Sequence, residues 1–195
     1  FLLTEQNHCQ YEDEILSMGG RVYRVPLLSA KNPMPYIRGV ESFLSQHPEY
    51  RIVHSHTSSK SAIPLWLAKR CDVPVRVCHA HSSNSGSGFE GFVRAVLGIW
   101  LKLVATDFMA CGVDAARCWY GDRILSQGRV VVVPNAIDNA KFAFKQIIRN
   151  KVRSQYLLSE ETLLMGMVAR FHPVKNHCFA LDVLKALKDS GANIK

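Results

Sequence analysis

Short runs rich in β-branched residues recur along the chain and alternate with stretches of helical period, and this alternation leaves few architectures open. The runs fall at 21–25 (RVYRV, after the Gly19-Gly20 turn), 50–54 (YRIVH), 74–79 (PVRVCH), 107–111 (DFMAC), 129–133 (RVVVV) and 163–168 (LLMGMV). Between them, residues 36–44 set Ile37, Val40, Phe43 and Leu44 on one helical face, and residues 176–189 do the same with Phe179, Val183, Leu184 and Leu187. Strand–helix–strand connections this short predict parallel strands joined by right-handed crossovers. The expected fold class is α/β, a Rossmann-like, doubly wound parallel sheet.

The stretch Val133-Pro134-Asn135-Ala136-Ile137-Asp138 punctuates that pattern with a Pro that cannot donate to a ladder and residues that favour turns. A helix over 146–157, a turn at Ser159-Glu160-Glu161 and a fresh strand from Leu163 then start a second unit. The boundary is expected near residue 139, with one unit over 1–139 and the opening of another over 140–195. A chain of 195 residues suffices for one complete core and part of a second. It begins at Phe1 without an initiator Met and stops at Lys195 where another strand would fit, so both ends read as cut and the chain as an internal fragment.

Hydrophobic residues make up 48% and charged ones 21%, a balance that excludes a disordered tail or a collagen-like repeat. The longest uncharged apolar run, 95–101, falls far short of the roughly 18–20 residues of a spanning helix. Cys9, Cys71, Cys78, Cys111, Cys118 and Cys178 include no Cys-x-x-Cys pair and read as reduced structural thiols, which predicts a cytoplasmic protein. A net charge of +8 calls for an anionic partner. The basic residues are scattered and lack interleaved aromatics, so nucleic acid is not the expected one.

Ligands of an open parallel sheet sit beyond the carboxyl ends of its strands, which directs attention to four places. His54-Ser55-His56-Thr57-Ser58-Ser59-Lys60 leads into a helix that its hydroxyls can cap. His79-Ala80-His81-Ser82-Ser83 opens a polar loop running to Gly88, with the composition of a mobile substrate loop. The two His-x-His pairs also invite a metal, because residues i and i+2 of a strand point the same way. No Asp or Glu accompanies either pair, and strand-end His residues commonly satisfy local hydrogen bonds, so no metal is expected. Cys111-Gly112, with Asp114 following, reads as an ordinary strand-to-helix turn. In Val168-Ala169-Arg170-Phe171-His172-Pro173-Val174-Lys175-Asn176-His177 a buried strand is expected to exit into a helix start, with Arg170 and Lys175 beside the helix N-terminus. Those two cations form a candidate diphosphate clamp, or else a solvated turn.

At these residues the chain resembles the retaining GT-B glycosyltransferases of family 4, in particular the capsular and exopolysaccharide branch. The resemblance is carried by YRIVHSHTSSKSAIPLWLAKRCDVPVRVCHAHSS, ATDFMACGVDAARCWYG, VVVPNAID and VARFHPVKNH in order. It implies two Rossmann-like domains across a cleft, the first binding the acceptor and the second, truncated here, the nucleotide-sugar. It also implies that the family's first strand and glycine-rich loop precede Phe1 and that a Glu-x7-Glu motif follows Lys195. Arg170 and Lys175 match the pair that binds the donor diphosphate and stabilises the departing nucleotide. His81 matches the His near the transferred sugar, with His79 two positions away as the alternative register. His54, His56 and His79, with Ser82, fall on the acceptor side or in the cleft. Ala169 stands where the family commonly has Gly, and Gly112 where Ser is frequent.

The resemblance thus implies an enzyme without cofactor or metal, transferring a sugar from a nucleotide-diphosphate donor, expected to be a UDP-sugar, to a lipid-linked or growing polysaccharide acceptor. The fragment alone is expected to be inactive. The helix over 91–103 sets Phe92, Val96, Ile99, Trp100 and Leu103 beside Arg94 and Lys102. It is either core packing or a surface for peripheral contact with an anionic membrane. Two other functions stay open: a metal-dependent hydrolase built on the His-x-His pairs, and a non-catalytic basic α/β module for a polyanion.

Overall fold

The computed structural model describes residues 1–83 and 88–195. Two compact units divide at Ala136 and Ile137. The first contains β1 (Leu2–Leu3), α1 (Glu12–Ser17), β2 (Tyr23–Arg24), α2 (Met34–Gln46), β3 (Ile52–Ser55), a 3₁₀ turn (Ser58–Ser61), α3 (Ala62–Arg70), β4 (Val75–Ala80), α4 (Gly88–Val104), β5 (Asp107–Ala110), α5 (Val113–Tyr120), α6 (Asp122–Ser126) and β6 (Val130–Val132). The second contains α7 (Gln146–Gln155), a 3₁₀ turn (Pro173–Lys175) and α8 (His177–Asp189). Among the described residues no helix is long and apolar enough to cross a membrane.

Every strand pair in the first unit is parallel, as the short crossovers require. β1 pairs with β2, and β3-β4-β5-β6 form a second sheet in sequence order. A 680 Å³ cavity lies between the two sheets, lined on one side by Leu2, Leu3 and Thr4 and on the other by Ile52, Val53 and His54. Strand alternation sends Cys78, Ala80, Phe108 and Ala110 into the core beneath α3, α4 and α5, where they meet Leu65, Leu101, Ala116 and Trp119. Leu67 and Ala68 of α3 instead join Val40 and Leu44 of α2 and Val25 in a second cluster. α3 therefore carries apolar residues on two faces and joins both cores.

One buried polar group ties α5 to the sheet. The Tyr120 side chain is 1% exposed, and its hydroxyl lies 2.9 Å from the Cys78 carbonyl and 2.8 Å from the Met109 carbonyl, one on β4 and one on β5. Burial pushes the phenol's pKa up, so the hydroxyl keeps its proton and serves as donor.

In the second unit the buried Arg153 guanidinium reaches the Ser159 and Thr162 carbonyls, and Arg149 pairs with Glu160 at 2.7 Å, so α7 holds the turn that follows it. The strand expected at 163–168 is not formed. Its one partner among the described residues is the 193–195 segment, with a single parallel bridge from Leu163 to Ile194 and a last hydrogen bond from the Met165 N–H to the Lys195 carbonyl at 2.9 Å. Beyond Met165 the apolar residues have nothing to pair with, and Met167 and Val168 are exposed, so the expected burial of this run is also corrected. All six cysteines are free, and Cys78 alone among them is fully buried.

Tyr120→Phe removes the donor that two buried carbonyls share, and is expected to cost about 1–3 kcal/mol of unfolding free energy in urea denaturation. An unchanged midpoint at unchanged slope refutes the staple.

Candidate functional site

The polar residues that follow β3 and β4 converge. β3 and β4 pair in register up to Ser55 opposite Cys78, and just past that last rung the His56 and His79 rings lie 5.2 Å apart. His54 and His56 thus share one face with His79 and His81, opposite the face that packs on the helices. The four imidazoles stack in pairs: His54 on His56 and His79 on His81, each with centroids 4.2 Å apart, and His54 on His79 at 5.4 Å. His56 and His81 close the group, at 5.1 Å between centroids and 2.8 Å between His56 Nδ1 and His81 Nε2.

His79 is the innermost ring, 7% exposed, and neither of its nitrogens has a hydrogen-bond partner among the described residues. His54, His56 and His81 each show part of a ring to solvent. Stacking still strips water from these rings. Desolvation, and then the mutual charges of the neighbouring rings, push His54 and His79 below the usual imidazole range and His56 down to about 4. The site at neutral pH therefore contains neutral imidazoles, able to exchange protons or offer lone pairs but not to attract an anion by charge.

The loop after His81 is held from α5. The Trp119 indole N–H donates to the Ser82 carbonyl at 2.6 Å, and the Cys118 thiol to the Ser83 carbonyl at 3.1 Å. Neither contact was expected; the signal available was the run Cys118-Trp119-Tyr120, which places two polar tips at one end of a short helix. Residues 84–87 of the polar loop lie outside the described residues. The capping expected at 54–60 is corrected: neither the 3₁₀ turn nor α3 has a side-chain cap, because the turn intervenes and Ser61 Oγ accepts from the Thr57 N–H at 3.2 Å and bonds Ser55 Oγ at 2.9 Å. Gly112 precedes α5 in an extended conformation and serves as a plain strand-to-helix turn.

Arg170 and Lys175 lie in the second unit. Both are exposed, Arg170 in an irregular segment and Lys175 at the end of the 3₁₀ turn. The Arg170 carbonyl accepts from His177 Nε2 at 3.0 Å, which ties its backbone to the first residue of α8. Asn176, at φ +49°, caps α8 with its side chain accepting from the Phe179 N–H at 3.4 Å. The helix start is therefore as expected, although the strand before it is not.

A parallel α/β architecture with polar residues gathered at the strand ends is the arrangement of the GT-B glycosyltransferases. Two structures of Anabaena Alr3699/HepE, one in complex with UDP and one with UDP and glucose, superpose on the chain with a TM-score of 0.68 each. They are 15% and 14% identical to it, covering 89% and 94% of this chain and 46% and 48% of theirs, and establish the fold. In sequence, the glycosyl transferase 4-like domain matches residues 2–136, and the chain belongs to that family. EpsF of Bacillus subtilis (strain 168), a protein named as a glycosyltransferase, is 35% identical over 194 residues. That match takes in 98% of this chain and 50% of EpsF, so the chain spans about half the length of the relatives it matches.

An imidazole kept neutral in the fold binds fewer protons than the unfolded chain between about pH 6.5 and pH 4, so the folded state loses stability as pH falls through that window. In chelator-containing buffer the first unit is expected to lose on the order of 1 kcal/mol from this source, after discounting for solvent screening of part-exposed rings. His56→Asn flattens the profile; a melting temperature in which wild type and variant fall in parallel from pH 7 to pH 4.5 refutes it.

Proposed function

We propose that this chain is the acceptor-side domain and the opening of the donor-side domain of a retaining glycosyltransferase, which moves a sugar from a UDP-sugar to a lipid-linked or growing exopolysaccharide acceptor. The observation that carries this reading is the imidazole cluster at the carboxyl ends of β3 and β4 in a chain of the glycosyl transferase 4-like family. UDP and glucose in the HepE structures support the donor class.

In this reading His81 is the sugar-side imidazole, because it extends past the last rung of β4 and reaches solvent while His79 is buried. His54, His56 and Ser82 line the acceptor side. Arg170 and Lys175 take the donor diphosphate: the planar guanidinium grips two phosphate oxygens, and the ammonium adds a mobile charge as the glycosidic oxygen of the nucleotide accumulates negative charge. Cleavage of the sugar–phosphate bond then runs on cationic side chains, with no metal or other cofactor required. The acceptor hydroxyl attacks from the face the nucleotide leaves and passes its proton to the departing phosphate oxygen, which keeps the anomeric configuration.

In the full-length protein, Arg170→Ala is expected to lower kcat/KM for the nucleotide-sugar by about 10²–10³-fold, as the loss of a charge-stabilising group does. His81→Ala lowers kcat more than it changes KM. NMR of the product shows the donor's anomeric configuration; an inverted anomer, or Arg170→Ala turnover at the wild-type rate, overturns this mechanism.

We further propose peripheral contact with an anionic membrane through α4. Leu101 and Val104 of this helix are buried and Trp100 is packed against Trp66 at 5.6 Å, but Phe89, Phe92, Val96, Ile99 and Leu103 are exposed. Lys69 flanks Trp100 and Leu103 in a neighbouring groove and supplies positive charge, with Arg70 beside it paired to Glu41 at 3.2 Å. An apolar face rimmed by cations suits the inner leaflet, where a lipid-linked acceptor would be presented from a cytoplasmic enzyme. Vesicles containing anionic lipid are expected to sediment the protein, and Phe92→Asp with Ile99→Asp to abolish it; sedimentation independent of anionic lipid refutes the contact.

A further inference from the structure

We propose that His54, His56 and His79 bind one transition-metal cation of the zinc class, at the same strand ends as the proposed acceptor side but taking no part in the transfer step above. One ring nitrogen from each of the three lies within 4.8 Å of the other two. An ion that holds imidazole nitrogens at about 2.0–2.1 Å in tetrahedral array sets them about 3.3 Å apart. The difference is closed by χ rotation of His54 and His56, the two exposed rings, onto His79, which β4 fixes.

The strongest pointer is His79. A ring that is 7% exposed with both nitrogens unpartnered carries a desolvation cost that nothing among the described residues offsets. An ion at the centre of the cluster supplies that missing partner. The frame is suited to a ligand set because His54 and His79 stand on the paired strands β3 and β4 and His56 is the residue directly after β3.

His56 is already half prepared. His56 Nδ1 lies 2.8 Å from His81 Nε2, and in the tautomer in which His56 is the donor its Nε2 keeps the free lone pair a metal requires. A donor set made of imidazole nitrogens alone favours zinc, copper, nickel or cobalt over magnesium or calcium. Three protein ligands leave a fourth position for water or an anion.

The test uses the chain stripped with chelator and titrated with cobalt(II) chloride, then with zinc as competitor. Uptake of one equivalent is expected, with visible ligand-field bands of a tetrahedral nitrogen site and no thiolate-to-cobalt charge transfer, which separates the cluster from the six free cysteines. His54→Asn and His56→Asn each weaken cobalt at least tenfold while the metal-free melting temperature stays within a degree or two of wild type. His8→Asn, an exposed imidazole elsewhere, leaves affinity unchanged. Absence of saturable uptake at micromolar cobalt and zinc, a thiolate charge-transfer band, or affinity that survives both cluster variants overturns the proposal.

Discussion

The in-register parallel pairing of β3 with β4 is the constraint on which the rest of the first unit depends. With Ser55 opposite Cys78, odd and even positions divide cleanly: Cys78 and Ala80 enter the core, while His54, His56, His79 and His81 take the other face. A slip of β3 by one residue against β4 would turn His54 and His56 toward the helix face and away from His79 and His81. The core thus selects the register, and the register assembles the imidazoles. Hydrophobic burial on one side of the sheet fixes the chemistry on the other.

Helix α5 converts that register into a positioned loop. Its last three residues form a graded series, Cys118 and Trp119 holding the Ser83 and Ser82 carbonyls outside the sheet and Tyr120 bridging the β4 and β5 backbones within it. Three polar tips on one helical turn therefore orient the segment that carries His81. The contacts to Ser83, Ser82 and Cys78 span 35 residues or more in sequence, and no local pattern announces them.

Periodicity was a good guide where an element had its partner within the chain. The runs at 50–54, 74–79, 107–111 and 129–133 became β3 to β6, and the helical faces at 36–44 and 176–189 became α2 and α8. The run at 163–168 has the same apolar character and forms a single bridge, because a strand is defined by its neighbours and only the 193–195 segment is beside it. For α4 the sequence alternatives were core packing or surface, and the helix does both: Leu101 and Val104 face inward, Ile99 and Leu103 outward. A wide apolar stripe read from spacing does not say how much of it a domain can cover. The His-x-His pairs were visible as motifs. Their contact across two strands, and the isolation of His79, are tertiary facts that depend on register.

Charge is where sequence and structure carry different information. A net charge of +8 in the sequence suggests anion binding in general, and eight His residues do not enter that sum. The structure sharpens it, since burial pushes His54 and His79 below the usual imidazole range and His56 down to about 4. Attraction for a diphosphate must then come from permanent cations, and the motif residues of that kind are Arg170 and Lys175, both exposed next to the start of α8. A neutral imidazole group is the better neighbour for a sugar hydroxyl, which needs a proton acceptor without a strong field. In the function proposed above, His54, His56 and His79 are suited to hydroxyls and the exposed Arg170 and Lys175 of the second unit to phosphate.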